Sequence, residues 1–143
     1  MSSWIPWIRL RRRWRRHRGK VTTKNMNKRE KGAQKEEQVC AYLLSKGVKI
    51  KERNFRCRQG EIDIIGYDGE YLVFFEVKYR GTRNMGSAAE AVGPAKQRKI
   101  CFVADYYRML HRLGENVPIR FDVVAIDGET LRWIKNAFYY MAR

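Results

Sequence analysis

Two strand-like runs, EIDIIG from Glu61 and YLVFFEVKYR from Tyr71, face each other across Asp68-Gly69 and carry charges where a sheet ordinarily avoids them. Residues two apart on a strand share a face. Glu61 and Asp63 therefore share one face of the first run, and Phe74, Glu76, Lys78 and Arg80 one face of the second. Asp-Gly is a two-residue hairpin signal. A turn centred on it pairs Tyr67 with Glu70, sets Glu61 opposite Glu76 and leaves Asp63 on the diagonal. Three carboxylates and the Lys78 ammonium then converge. Crowded carboxylates repel across strands and raise each other's pKa unless a cation sits among them. A divalent metal with oxygen ligands is the simplest such cation. The rival reading is an ordinary ion-paired, solvated strand face. Against it, Leu72, Val73, Phe74, Phe75 and Val77 make the second run apolar on both sides, the pattern of a central buried strand.

A chain of 143 residues is one domain's worth and long enough to bury a core. Its formal net charge of +16 is unevenly placed: residues 1–31 hold twelve Lys or Arg against Glu30 alone, which leaves +5 to the remainder. The chain therefore divides into a basic Trp/Arg-rich extension, 1–31, and a single domain, 32–143. The extension, with Trp4, Trp7 and Trp14 among its arginines, admits three readings. It is a disordered basic arm, a segment that lies on anionic lipid or nucleic acid, or the product of a start assigned upstream of Met26. A mildly basic domain suits a polyanionic partner.

Cys40, Cys57 and Cys101 are odd in number and lack a Cys-x-x-Cys pair, which argues against a disulfide framework or a zinc site and for a reducing cytoplasm. With His17 and His111 the only histidines, a Ser-His-Asp triad has little material. Phosphate-cradling glycine motifs are missing, and no apolar run approaches the roughly 20 residues that span a bilayer. The chemistry falls to carboxylates, Lys and Arg.

Glu36, Cys40 and Leu43 sit at helical spacing within a helix expected from about Lys31 to Ser45, with Gly47 as its terminator. A strand through Val48–Cys57 precedes the acidic hairpin, expected at 60–67 and 70–79. Residues 81–93, rich in Gly and small side chains, read as a mobile loop on the substrate side. Pro94 opens a second helix whose stripe is Ile100, Val103, Ala104, Tyr107 and Leu110. IRFDVVAI and ETLRWI flank a second Asp-Gly turn at Asp127-Gly128, giving a strand and a short final one, with KNAFYYMAR as a terminal helical turn. The order implies an α/β sandwich around a mixed central sheet flanked by helices.

Asp63, twelve intervening residues and Glu76-Val77-Lys78 resemble the PD-(D/E)XK signature of restriction-endonuclease-like nucleases, with Glu36 matching the acid on the preceding helix in several branches. More narrowly, NFRCRQGEIDIIG, LVFFEVKYR, AVGPAKQRK and RFDVV, in that order, resemble the YraN family of bacterial proteins, uncharacterised protein family 0102, over about residues 32–127. The chain departs from the pattern where Ile62 replaces the Pro before Asp63, and where Lys35 and Val39 replace small residues of the first helix.

The resemblance implies a restriction-endonuclease-like αβββαβ core and metal-dependent cleavage of phosphodiester bonds in nucleic acid, DNA first. Asp63, Glu76 and the carbonyl of Val77 would then ligate Mg²⁺ or Mn²⁺, with Glu61 and Glu36 as supporting or second-metal ligands. Lys78 would orient the water or stabilise the transition-state charge. Arg80, Lys96, Gln97 and Arg98 would contact phosphates. Bland alternatives stand beside these: Glu36 can be a helix-dipole acid, and Arg80 and the Lys96 cluster ordinary surface cations. Asp122 is either a buried hydrogen-bond acceptor or a functional acid. A homodimer follows by analogy with nucleases that cut two strands. The competing functions are a nucleic-acid-binding module that does not cut and a peripheral adaptor resting on the Trp/Arg segment.

Overall fold

The computed structural model describes residues 23–80 and 92–142, with side chains given for residues 29–79 and 92–142. The Trp/Arg-rich residues 1–22 and most of the expected loop, residues 81–91, lie outside it. The elements run α1 (Thr23–Ser45), β1 (Lys49–Cys57), β2 (Gly60–Asp68), β3 (Tyr71–Arg80), α2 (Pro94–Leu110), β4 (Ile119–Asp127) and β5 (Thr130–Phe138). They form a mixed α/β fold around one five-stranded sheet in the order β1-β2-β3-β4-β5. Only the β3–β4 pair is parallel, and α2 lies in the connection between them. Among the described residues no helix is long and apolar enough to cross a membrane.

The core has two layers because β3 buries both faces. Leu72 and Phe74 join α2 residues Ile100, Val103, Ala104 and Tyr107 on one side. Val73 and Phe75 join α1 residues Val39, Cys40 and Leu43 on the other. Each helix therefore covers one face of the sheet. α1 starts well before Lys31, and no Pro or Gly between Thr23 and Lys31 interrupts the backbone. It stops as expected at Gly47, whose φ of +88° is the left-handed conformation glycine tolerates. Gly66 answers a different need: a Cβ there would come within 2.8 Å of the Lys49 carbonyl oxygen on β1.

The hairpin register differs from the expected one by two residues. Asp68 pairs with Tyr71 and Tyr67 with Leu72, so the chain reverses at Gly69-Glu70 and not at Asp68-Gly69. Asp68 stays in the sheet because its carboxylate is held by Arg120 at 2.6 Å and Lys135 at 2.8 Å. The second reversal behaves alike, with Asp127 paired to Thr130. β5 is longer than expected and runs to Phe138, which stacks on Phe121 at 5.1 Å between centroids. The terminal helical turn is therefore absent: Lys135–Phe138 belong to the strand and residues 139–142 follow without regular structure.

Asp122 is a structural acceptor. It is fully buried, and its two oxygens accept from the Arg120 guanidinium, the Trp133 indole N–H at 2.8 Å and the Asn136 backbone N–H at 2.9 Å. Asn136 adopts a φ of +52° there, beside the register shift between Phe121 and Val123.

The sheet is forked. The β2–β3 ladder ends at Ile64↔Phe75, yet β2 continues to Gly60 against β1 and β3 continues to Arg80 against β4. Strand alternation slips at the same point: Ile62 packs in the α2-side layer and Ile64, two residues on, in the α1-side layer. Asp63 lies between them, at the crotch of the fork.

Candidate active site at the sheet fork

Where the backbone ladder stops, a side chain takes over. Asp63 Oδ2 accepts the Val77 N–H at 2.7 Å, bridging β2 to β3 across the opening. On the α2 side of β3, Glu76 is 5% exposed, and its Oε1 faces Lys78 Nζ at 3.2 Å and Lys96 Nζ at 3.4 Å. Its Oε2 is buried with no hydrogen-bond partner among the described residues. An unpaired buried carboxylate oxygen costs free energy, and such atoms mark places where a ligand or ion completes the set.

Asp63 feels the same deficit. Burial, then the negative charge of Glu76, push its pKa from 3.8 up to about 6, while the Val77 N–H and Lys96 oppose the rise and Glu61 adds the weakest push. A folded-state pKa above the unfolded value means that protonation favours the native state. The contribution is full below about pH 4 and is lost as pH rises through about 6. Without divalent ions, stability should thus fall by on the order of 2–3 kcal/mol across this window relative to Asp63→Asn. Denaturant titrations of both proteins from pH 4 to 7.5 check this. Parallel profiles would mean that Asp63 is not strained by its surroundings.

Other expected site residues are distributed unevenly. Glu36 shares with Asp63 a cavity of about 380 Å³, and its Oε2 accepts from Asn54 Nδ2 at 3.3 Å. The Glu61 carboxylate, half exposed, turns to Arg56 on β1 at 2.9 Å, as the corrected register requires. Gln97 donates to the Val92 carbonyl at 2.7 Å and so ties down the start of α2. Arg98 lines a separate pocket with Phe102, Asp105 and Tyr140. The side chain of Arg80 lies outside the described residues. Of the four residues expected to meet phosphate, the structure brings Lys96 to the fork.

Whether these residues fit a divalent ion turns on the number of protein ligands. Among the described residues, no group of three or more His, Cys, Asp or Glu is arranged to hold a metal. Two carboxylates and a main-chain carbonyl are nevertheless an ordinary set for Mg²⁺, which keeps several waters and accepts substrate phosphate as a ligand. The unpartnered Glu76 Oε2 and the Asp63–Glu76 repulsion fit that sparse coordination. The cavity also involves residues that sequence reasoning missed. Tyr79, Lys31 and Lys35 line it together with Val77 and Ile126. The signal for Tyr79 was present, since it shares a strand face with Val77, opposite Glu76 and Lys78. The slip that turns Asp63 toward that face has no sequence signature.

The model of "Uncharacterised protein family UPF0102" matches residues 35–126, which include α1 from Lys35, the fork and all of β4 except its last residue. The chain belongs to the UPF0102 family. A UPF0102 protein of Lachnoclostridium phytofermentans is 49% identical over 113 residues, 79% of this chain and 96% of the relative. One from Janthinobacterium is 44% identical over 102 residues, covering 71% and 81% of the two chains. One from Nitrosococcus oceani is 43% identical over 116 residues, covering 77% and 92%. The UPF0102 match takes in Glu36, Asp63, Glu76, Lys78 and Lys96, and leaves the basic residues 1–34 outside.

Proposed function

We propose that this UPF0102 protein is a metal-dependent endonuclease with a restriction-endonuclease-like core, acting on nucleic acid and on DNA first. The observation that supports this most is the pairing of Asp63 with Glu76 at the fork, with Glu76 Oε2 buried and unpartnered beside two lysines. The element order and the Asp63, Glu76, Lys78 spacing support the same reading.

Asp63, Glu76 and the Val77 carbonyl would hold Mg²⁺ or Mn²⁺. The ion would supply Lewis acidity at the phosphate and a lowered pKa for its bound water. Everything else falls to the chain. Asp63 is fixed in orientation by the Val77 N–H, so its other oxygen is directed without rotamer search. Lys78 and Lys96, each about one-third exposed, can leave Glu76 Oε1 for anionic oxygens of a substrate while it occupies the fork. Lys78 then stabilises charge that develops on the phosphorane, and Lys96, in the first turn of α2, meets a non-bridging oxygen with support from the helix dipole. Glu36 lies within reach as an outer carboxylate.

One observation favours a second reading. The two ammoniums already neutralise one oxygen of Glu76, as they would in a nucleic-acid-binding module that does not cut. A labelled panel of duplex, single strand, flap, four-way junction and RNA, with Mg²⁺ or Mn²⁺, separates the two. Cutting by the wild type that is lost in Glu76→Gln and Lys78→Ala, with binding retained, supports the nuclease and names its substrate. Binding without metal-dependent cutting supports the module, and no binding to any member of the panel sinks both.

A further inference from the structure

The cavity beside Asp63 has a chemistry that phosphodiester cleavage alone does not require. It opens between the middle of α1 and the outer part of β3. Its walls are Lys31, Gly32, Lys35 and Glu36 from the helix, with Asp63, Val77, Tyr79 and Ile126 from the sheet. The volume of about 380 Å³ lies within the range of roughly 300–1,000 Å³ typical of small-ligand sites. Val77 and Ile126 supply apolar surface. Tyr79 is 58% exposed, with Lys35 Nζ 4.0 Å from its ring centroid. An aromatic ring of this exposure on a central strand, attended by ammoniums and adjoining a candidate phosphate-cleaving centre, has the composition of a base-stacking platform with phosphate contacts.

We propose that this cavity receives one unpaired nucleobase next to the scissile phosphate, so that the favoured substrates are single strands or junctions with a single-stranded arm. This rests on the nuclease reading above and specifies its substrate class. A paired base would have to leave its stack to enter, at a cost of a few kcal/mol, whereas an unpaired one enters without that cost. The base stacks on Tyr79 and contacts the apolar wall. Lys35 exchanges its cation–π contact, worth about 0.5–1 kcal/mol at an exposed site, for the adjoining phosphate, with Lys31 beside it. Selection is then by strandedness and not by sequence, since every base has a π-face.

The test uses the full chain in Ca²⁺, to measure binding without turnover. The probes are a fluorescent single-stranded DNA, the same strand as RNA, a blunt duplex, and a single strand with one abasic position moved stepwise along it. Tyr79→Ala should weaken single-strand binding roughly five- to a hundredfold, the range of one lost stack, and leave the blunt duplex within about twofold. Tyr79→Phe should retain wild-type behaviour, which separates loss of stacking from damage to the fold. One abasic position should reproduce the Tyr79→Ala loss, and 2-aminopurine placed there should be quenched by the wild type and not by Tyr79→Ala. Equal loss on single strand and duplex, or no effect of either change, overturns the proposal. If in addition Mg²⁺-dependent cutting of blunt duplex persists, the nuclease reading survives and this inference alone fails. If the wild type binds none of the probes, both fall together. DNA and RNA arms that behave alike identify a platform that reads bases only; a difference between them locates sugar contacts and leaves the stack in place.

Discussion

Glu76→Gln is expected to abolish metal-dependent cleavage and, in the same protein, to raise thermal stability. The two effects have one cause. Glu76 keeps a buried carboxylate beside Asp63 with one oxygen unpartnered, which favours cation capture and disfavours the metal-free fold. Neutralising it leaves burial, the larger cause of the raised Asp63 pKa, in place but removes the repulsion that adds to it, and its two lysine partners, each about one-third exposed, can return to water. Glu76 would act through the ion it helps to hold, and losing such electrostatic stabilisation of transition-state charge typically costs at least about a hundred- to a thousandfold in rate. The stability gain should be about 1 kcal/mol, a rise of roughly 4 °C in Tm for a domain of this size. Rates on the preferred nucleic acid and melting in EDTA are the two measurements. If Glu76 were a structural ion-pair partner, its neutralisation would lower Tm, and that outcome would remove the argument for a metal at the fork.

Arg120→Met should have the largest stability effect in the molecule. Asp122 is completely buried, and the Arg120 guanidinium is both its counter-ion and its bidentate donor at 2.9 Å. Taking away one partner of a buried pair leaves an uncompensated charge and costs roughly 3–5 kcal/mol. The Trp133 indole and the Asn136 amide cannot replace a cation. Asp68 loses Arg120 as well, although Lys135 still reaches it. Chemical denaturation should register the loss in full, and Arg120→Met combined with Asp122→Leu should recover part of it, because the orphaned charge is gone. A loss below about 1 kcal/mol in the single variant would reduce the cluster to the rank of surface ion pairs.

Asp122 also illustrates how far the sequence was legible. Its neighbours in RFDVV mark a strand, but its acceptor role depends on Trp133 and Asn136 from the next strand, contacts that no local pattern encodes. The same division holds elsewhere. The α2 stripe was readable from Ile100 to Tyr107 because apolar periodicity follows helix geometry, and Pro94 sits at its start, but its expected last member, Leu110, is exposed at the helix end. The run Leu72–Val77 was readable as a central strand because it is apolar on both faces. The hairpin register was not readable, since an Asp-Gly dipeptide marks a reversal only to within a residue or two. Arg120 and Lys135, distant in sequence, hold Asp68 inside the sheet. That shift brought Asp63 rather than Glu61 to Glu76. The Asp63, Glu76 and Lys78 set was visible only through the resemblance of its spacing to a nuclease signature, because the expected register put Glu61 opposite Glu76, and the cavity at Tyr79 depends on a slip in β2 that local alternation conceals.

The fork has a mechanical consequence. Beyond Ile64↔Phe75 no β2–β3 ladder bond resists a splaying motion, while β1–β2 and β3–β4–β5 each stay internally paired. At the opening the two half-sheets are held instead by the carboxylate of Asp63 and by α2, whose Val103 and Tyr107 share one core layer with Ile62 of the first half and with Phe74 and Phe121 of the second. The link across the gap is thus a hydrogen bond from main chain to an ionisable side chain, whose strength depends on its charge.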